Sequence, residues 1–175
     1  MRIIGMALVL CLALGGCKKD AAPTTEDAAL RAKTSEAIDN LDKLQKSAAS
    51  YYTTPHVARE TGSLVPPQFP ASSDWSPAGN PCEMADKRFP ATPDAWTGAT
   101  WSALNFAMNA PHYYRYKVES SGEYAKAKTT ITASADLDCD GKWSTYTVTL
   151  EGDESATRAD AAVKAPQRSS KDDLE

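Results

Sequence analysis

The hydrophobic period of this chain changes once, and that change limits the fold more than any other feature. Between Leu30 and Tyr52 a stripe recurs every three or four positions: Leu30, Thr34, Ala37, Leu41, Leu44, Ala48 and Tyr51, widened by Ile38 and Tyr52. Lys33, Glu36, Asp39, Lys43 and Lys46 fall on the opposite face. This pattern predicts one amphipathic helix with a single buried side. Thr24 and Asp27 have capping-box spacing at its start. Thr53-Thr54-Pro55 ends it, because a residue before proline avoids the helical region.

From Trp101 the period is two. Leu104, Phe106 and Met108 form the first run, and Tyr114, Tyr116 and Val118 the second. Ala127, Thr129, Ile131, Ala133 and Ala135 form the third, and Tyr146, Val148 and Leu150 the fourth. The residues between them are polar. The expected fold class is therefore α+β: one N-terminal amphipathic helix packed on a four-stranded antiparallel β-meander with one wet face.

Residues 55–100 hold most of the prolines, yet Phe69, Trp75, Phe89 and Trp96 are spread through them. Disordered linkers lack such rings. The segment reads as a long ordered loop, and these four aromatics are its candidate partner-binding residues.

The chain begins with Met1-Arg2, an uncharged apolar run to Leu14, and Leu14-Gly15-Gly16-Cys17. The run is too short to span a bilayer and has signal-peptide flanks. Small residues before a cysteine resemble the bacterial lipobox. The resemblance implies a lipoprotein signal peptide over 1–16 and lipidation of Cys17, with 17–26 as a tether. The globular domain is then 27–152, followed by a disordered polar tail over 153–175. Lys18 after the cysteine favours the outer membrane of the cell envelope. The N-terminal lipid makes the membrane one partner.

With Cys11 in the leader and Cys17 lipidated, Cys82 and Cys139 remain to pair in an oxidising compartment. The alternative is two free buried thiols. Cys139 lies inside Asp136-Leu137-Asp138-Cys139-Asp140-Gly141. Asp136, Asp138 and Asp140 are spaced like the start of a calcium loop, whereas Asp-Gly is also a favoured hairpin turn that needs no metal. Counted from Asp136, position twelve is Thr147 rather than glutamate. Glu83, Asp86 or Glu151 would have to complete a ligand set. The residues favour a disulfide-stapled turn without a functional metal or other cofactor; calcium is the alternative.

No nucleophile elbow, zinc-protease motif or phosphate loop is present in the sequence. Asp136 and Asp138, both expected to be exposed in a turn, make a poor acid–base pair, so the chain reads as non-catalytic. The formal charge of −4 argues against nucleic acid as a main partner. Arg115, Lys117, Lys126 and Lys128 on the wet sheet face nevertheless admit a DNA-binding reading.

Several pieces in order resemble the type IV pilin-like proteins of myxobacteria and related deltaproteobacteria. They are "EAIDNLDKLQKSAASYY" (36–52), "WSALNF" (101–106), "PHYYRYKVES" (111–120) and "ASADLDCDGKWSTYTV" (133–148). The resemblance implies a pilin-like head, here with a lipobox where pilins carry an apolar half-helix. It implies a non-catalytic interaction module with an unidentified envelope protein partner, accessory to a type IV pilus or a secretion system. A calcium-binding surface adhesin is the second reading, and a DNA-binding receptor of the minor-pilin type the third.

Overall fold

The computed structural model describes residues 25–153, 164 and 167–171. The leader 1–16, Cys17, the tether to residue 24 and the Thr24–Asp27 capping pair lie outside the residues whose side chains are described.

One long helix, α1 (Thr25–Thr53), packs on a five-stranded antiparallel sheet: β1 (Ser73–Ser76), β2 (Arg115–Ser121), β3 (Lys128–Ala135), β4 (Ser144–Glu151) and β5 (Gln167–Lys171). The strands lie side by side in chain order. The helix forms as its pattern predicts, except that Ile38, expected to widen the buried stripe, is 44 % exposed. Ala37, Leu41, Leu44, Ala48 and Tyr52 are buried at spacings of three and four. The threonines end it: Thr54 donates its backbone N–H and its hydroxyl to the Ser50 carbonyl.

The helix-facing rows of the sheet alternate large and small residues. Tyr116, Ala133 and Tyr146 stand opposite one another across β2, β3 and β4, and Val118, Ile131 and Val148 form the next row. Ala133 between two tyrosines leaves room for α1, which crosses β3 and β4. Burying each of the larger side chains contributes about 1.5–3 kcal/mol. A second part of the same core lies under the long loop. There Trp96 meets Trp101 and Phe106 edge-on, and Phe106 meets Tyr116.

The four-stranded meander is corrected at both ends. Residues 104–108 are not a strand. Trp101 and Leu104 belong to a short helix, α2 (Ala99–Ala103), and its cap. Asn105 then takes a left-handed conformation (φ 47°), and the Phe106 N–H returns to the Trp101 carbonyl at 3.0 Å. The left-handed turn swings Phe106 back under the helix, so Leu104 and Phe106 are both buried without being strand partners. The edge strand on that side is instead β1, from within the long loop. Its register carries a bulge, with Ser73 opposite Val118 and Ser76 opposite Tyr116. On the other side the disorder expected of the tail is corrected over residues 167–171, where β5 pairs with β4 from Thr145↔Lys171 to Thr149↔Gln167. Arg168 of β5 reaches across to α1, pairing with Asp42 and bonding Gln45 at 2.6 Å.

Among the described residues, no helix is long and apolar enough to cross a membrane.

Candidate functional site

The loop between β3 and β4 gathers the residues with the most chemistry. β3 is buried to its last residue, and the chain turns only after Asp136. The turn is written in side-chain-to-backbone bonds. The Gly141 N–H donates to Asp136 Oδ2 at 3.1 Å, the Asp140 N–H to Asp138 Oδ1 at 3.1 Å, and the Lys142 N–H to Asp140 Oδ1 at 2.8 Å. Short aspartate side chains favour such local bonds, and Cys139 (φ 69°) and Gly141 (φ 90°) take the left-handed conformation that closes the turn. Lys33 of α1 donates to the Leu137 carbonyl at 2.8 Å, tying the loop to the helix.

Cys82 and Cys139 form a disulfide, with S–S 2.10 Å and Cα–Cα 5.6 Å. It joins the β3–β4 loop to a single 3₁₀ turn in the long loop (Pro81–Glu83), where the Asn80 side chain accepts the Cys82 N–H. The Cys82 sulfur also lies 3.3 Å from the Asp136 carbonyl oxygen.

The three aspartates are not equivalent. Asp138 and Asp140 are exposed, whereas Asp136 is only 4 % exposed. The expectation that a turn exposes Asp136 is corrected here: it sits one residue beyond β3 and folds under the loop. One of its oxygens accepts from Gly141, but Oδ1 is buried with no hydrogen-bond partner among the described residues. A buried carboxylate oxygen without a donor is costly. Lys142 pairs with Asp140 at 3.0 Å, and its N–H and ammonium hold that carboxyl below its ordinary value. One carboxylate oxygen from each of the three aspartates lies within 4.8 Å of the others, so the group could hold a metal ion. Glu83, Asp86 and Glu151 do not join it among the described residues. Glu151 sits at the far end of β4, paired with Lys128 at 3.0 Å.

The loop aromatics are placed differently from expectation. Phe69, Phe89 and Trp96 are core residues, 4 %, 1 % and 4 % exposed, and Phe69 stacks on Tyr52 of α1. They hold the loop down rather than face a partner. Trp75 alone of the four reaches the surface, where it forms one side of a clamp. The Arg115 guanidinium lies 4.4 Å from the Trp75 ring and 3.7 Å from the Trp143 ring. Alternation correctly puts Arg115 on the outer face, but nothing in the sequence brings the two tryptophans to it.

Two titratable groups, half-buried Glu36 and buried His112, were not singled out as functional by sequence. Glu36 accepts the N–H groups of Tyr113 and Tyr114, and burial raises its carboxyl above the ordinary value. His112 is fully buried against Phe89 and Trp96, and burial lowers its pKa. Both are enclosed by core rings or backbone.

No family model, curated protein or solved structure matches the chain.

Proposed function

We propose that this chain is a non-catalytic interaction head, tethered to the envelope membrane through Cys17, whose β3–β4 loop binds one calcium ion through Asp136, Asp138 and Asp140. The observation that carries the calcium reading is Asp136: a carboxylate 4 % exposed, with Oδ1 unpartnered, beside two further carboxylates within 4.8 Å. A cation relieves both the orphaned oxygen and the mutual repulsion of three acids. All-oxygen donors suit a hard ion, and exposed Asp138 and Asp140 leave the rest of its shell to water or a partner. The tether rests on the lipobox, and the pilin-like envelope role on the quoted segments alone.

The test is a calorimetric calcium titration of the oxidised chain. A one-to-one isotherm is expected with Kd of about 10⁻⁴–10⁻³ M, the class of extracellular modules with incomplete protein ligation. Asp136→Asn keeps an acceptor for Gly141 and fills the Oδ1 position with an amide, so it should abolish the heat without undoing the turn. No heat from the parent chain at millimolar calcium would leave the loop as a stapled turn.

A further inference from the structure

We infer that the same loop holds a second metal site, exclusive of the first, that opens when the Cys82–Cys139 disulfide is reduced. Its ligands are the two thiolates and the Asp136 carboxylate, and its ion is zinc or another borderline-soft divalent metal. The thiolate site itself does not depend on calcium binding, because its principal donors are sulfur; only the choice between the two ions rests on the calcium reading.

Three observations carry it. Cys82, Asp136 and Cys139 each offer one ligand atom within 4.8 Å of the other two. Tetrahedral zinc, with bonds of about 2.3 Å to sulfur and about 2.0–2.2 Å to carboxylate oxygen, spaces its donors by about 3.3–3.8 Å, so small side-chain rotations suffice. Second, Asp136 is more than nine-tenths buried and its Oδ1 has no partner among the described residues, so the residue that supplies the oxygen donor carries an unsatisfied, desolvated acceptor. Third, the Cys82 backbone and the residues on either side of Cys139 are held by bonds other than the disulfide. Asn80 holds the Cys82 N–H, while Asp136 Oδ2 spans the Cys139 turn to Gly141 and Lys33 holds Leu137. The thiols therefore stay facing one another after the bridge opens.

The chemistry balances with a dithiol reductant. Its two electrons break the S–S bond, each cysteine sulfur receives one of the reductant's protons, and the reductant closes to its own disulfide. Zinc then displaces both thiol protons to solvent and takes three protein ligands, leaving a fourth position for water. Asp136 is common to both donor sets. The oxidised loop presents three carboxylates to a hard cation, and the reduced loop presents two thiolates and one carboxylate to a softer one. The redox state of one bond thus selects the class of metal.

The test uses the full chain with Cys11→Ser and Cys17→Ser, in detergent, so that Cys82 and Cys139 are the sole thiols. The protein is reduced with a phosphine, freed of reductant without oxygen, and titrated with cobalt(II) and then zinc. The expected result is a thiolate-to-cobalt charge-transfer band of one-to-one stoichiometry, bleached by zinc and absent from the oxidised protein. Asp136→Asn should retain both thiols yet bind about tenfold or more weakly, since even outer-shell changes cost that much. No band, or a band of equal affinity in Asp136→Asn, overturns the site. Circular dichroism covers the case in which reduction unfolds the chain. Zinc should then restore the folded spectrum by binding only the folded form, and failure to do so counts against the site equally.

Discussion

The Glu36 carboxylate on α1 accepts the backbone N–H of Tyr114 at 3.1 Å and that of Tyr113 at 3.0 Å. A residue on the charged face of the helix is thus the clamp that seats the start of β2. Glu36→Ala leaves both N–H groups without this acceptor and should cost about 1–3 kcal/mol in urea unfolding. Glu36→Gln keeps an acceptor and should cost less. Their pH dependence separates charge from bonding. Burial raises the Glu36 carboxyl above 4.5, outweighing the two N–H bonds and the nearby Arg88. A folded-state pKa above the unfolded one gives stability that is full below 4.5 and is lost as pH rises through the folded value. Wild type should therefore lose ground to Glu36→Gln as pH rises from about 4.5 towards neutrality. A difference that is flat with pH would remove the buried-charge account.

Glu36 also marks where the sequence stops being legible. Helical periodicity placed Ala37, Leu41, Leu44 and Ala48 inward correctly, because an apolar stripe has no other stable place. It placed Glu36 outward, since the period cannot see two N–H groups arriving from 77 and 78 residues away. β2, β3 and β4 were readable because one face of each is buried. β1 and β5 were not: edge strands are held by main-chain bonds, and Ser-Asp-Trp-Ser and Gln-Arg-Ser-Ser-Lys carry no apolar alternation. Leu104 and Phe106 imitated alternation through a helix end and one left-handed residue. In the loop, the turn chemistry of Asp136–Gly141 was legible, but the burial of Asp136 depended on how far β3 runs into the core.

Arg115 is held by two indole faces, and no carboxylate pairs with it among the described residues; its Nε is buried without a partner. Its other contact is a 3.4 Å approach of Nη1 to the Gly79 carbonyl. Stacking of a planar cation explains the arrangement better than ion pairing. Arg115→Lys should accordingly lose about 0.5–2 kcal/mol despite keeping the charge, because an ammonium cannot lie flat between two rings. Unfolding followed by tryptophan fluorescence at low and high salt is the measurement. An equal loss at both supports stacking, and a loss that vanishes in high salt would point to long-range charge instead.

His112 donates from Nδ1 to the Ala110 carbonyl at 2.9 Å, which leaves the buried Nε2 as the deprotonated nitrogen. Burial lowers its pKa below 6.5, and the bond to Ala110 only partly opposes this. The sign is the reverse of Glu36. A depressed folded-state pKa gives stability that is full above 6.5 and lost as pH falls through the folded value. His112→Phe keeps a ring against Phe89 and Trp96 and should flatten that acid-side loss, whatever its cost at neutral pH. Since the Glu36 window opens upward from 4.5 and the His112 window downward from 6.5, with opposite slopes, each variant has to be compared with wild type at every pH. A variant that retains the full wild-type decline below 6.5 would acquit His112.

β5 is exposed at every position and contributes no apolar side chain, yet it covers the outer edge of β4. Removing residues 167–175 trades two comparable quantities. Its hydrogen bonds add about 1 kcal/mol each, while ordering its backbone costs about 1–2 kcal/mol per residue. The net change in stability should therefore be small, offset mainly by loss of the Arg168 contacts to Asp42 and Gln45. The larger effect should be on association. β4 reads Ser-Thr-Tyr-Thr-Val-Thr-Leu-Glu, rich in β-branched residues, and its uncovered edge becomes a template for another chain. Sedimentation of the chain ending at Pro166 should show concentration-dependent self-association that the full chain lacks. A truncated chain that stays monomeric and loses several kcal/mol would instead assign β5 a share in the core, carried by Arg168 lying over α1.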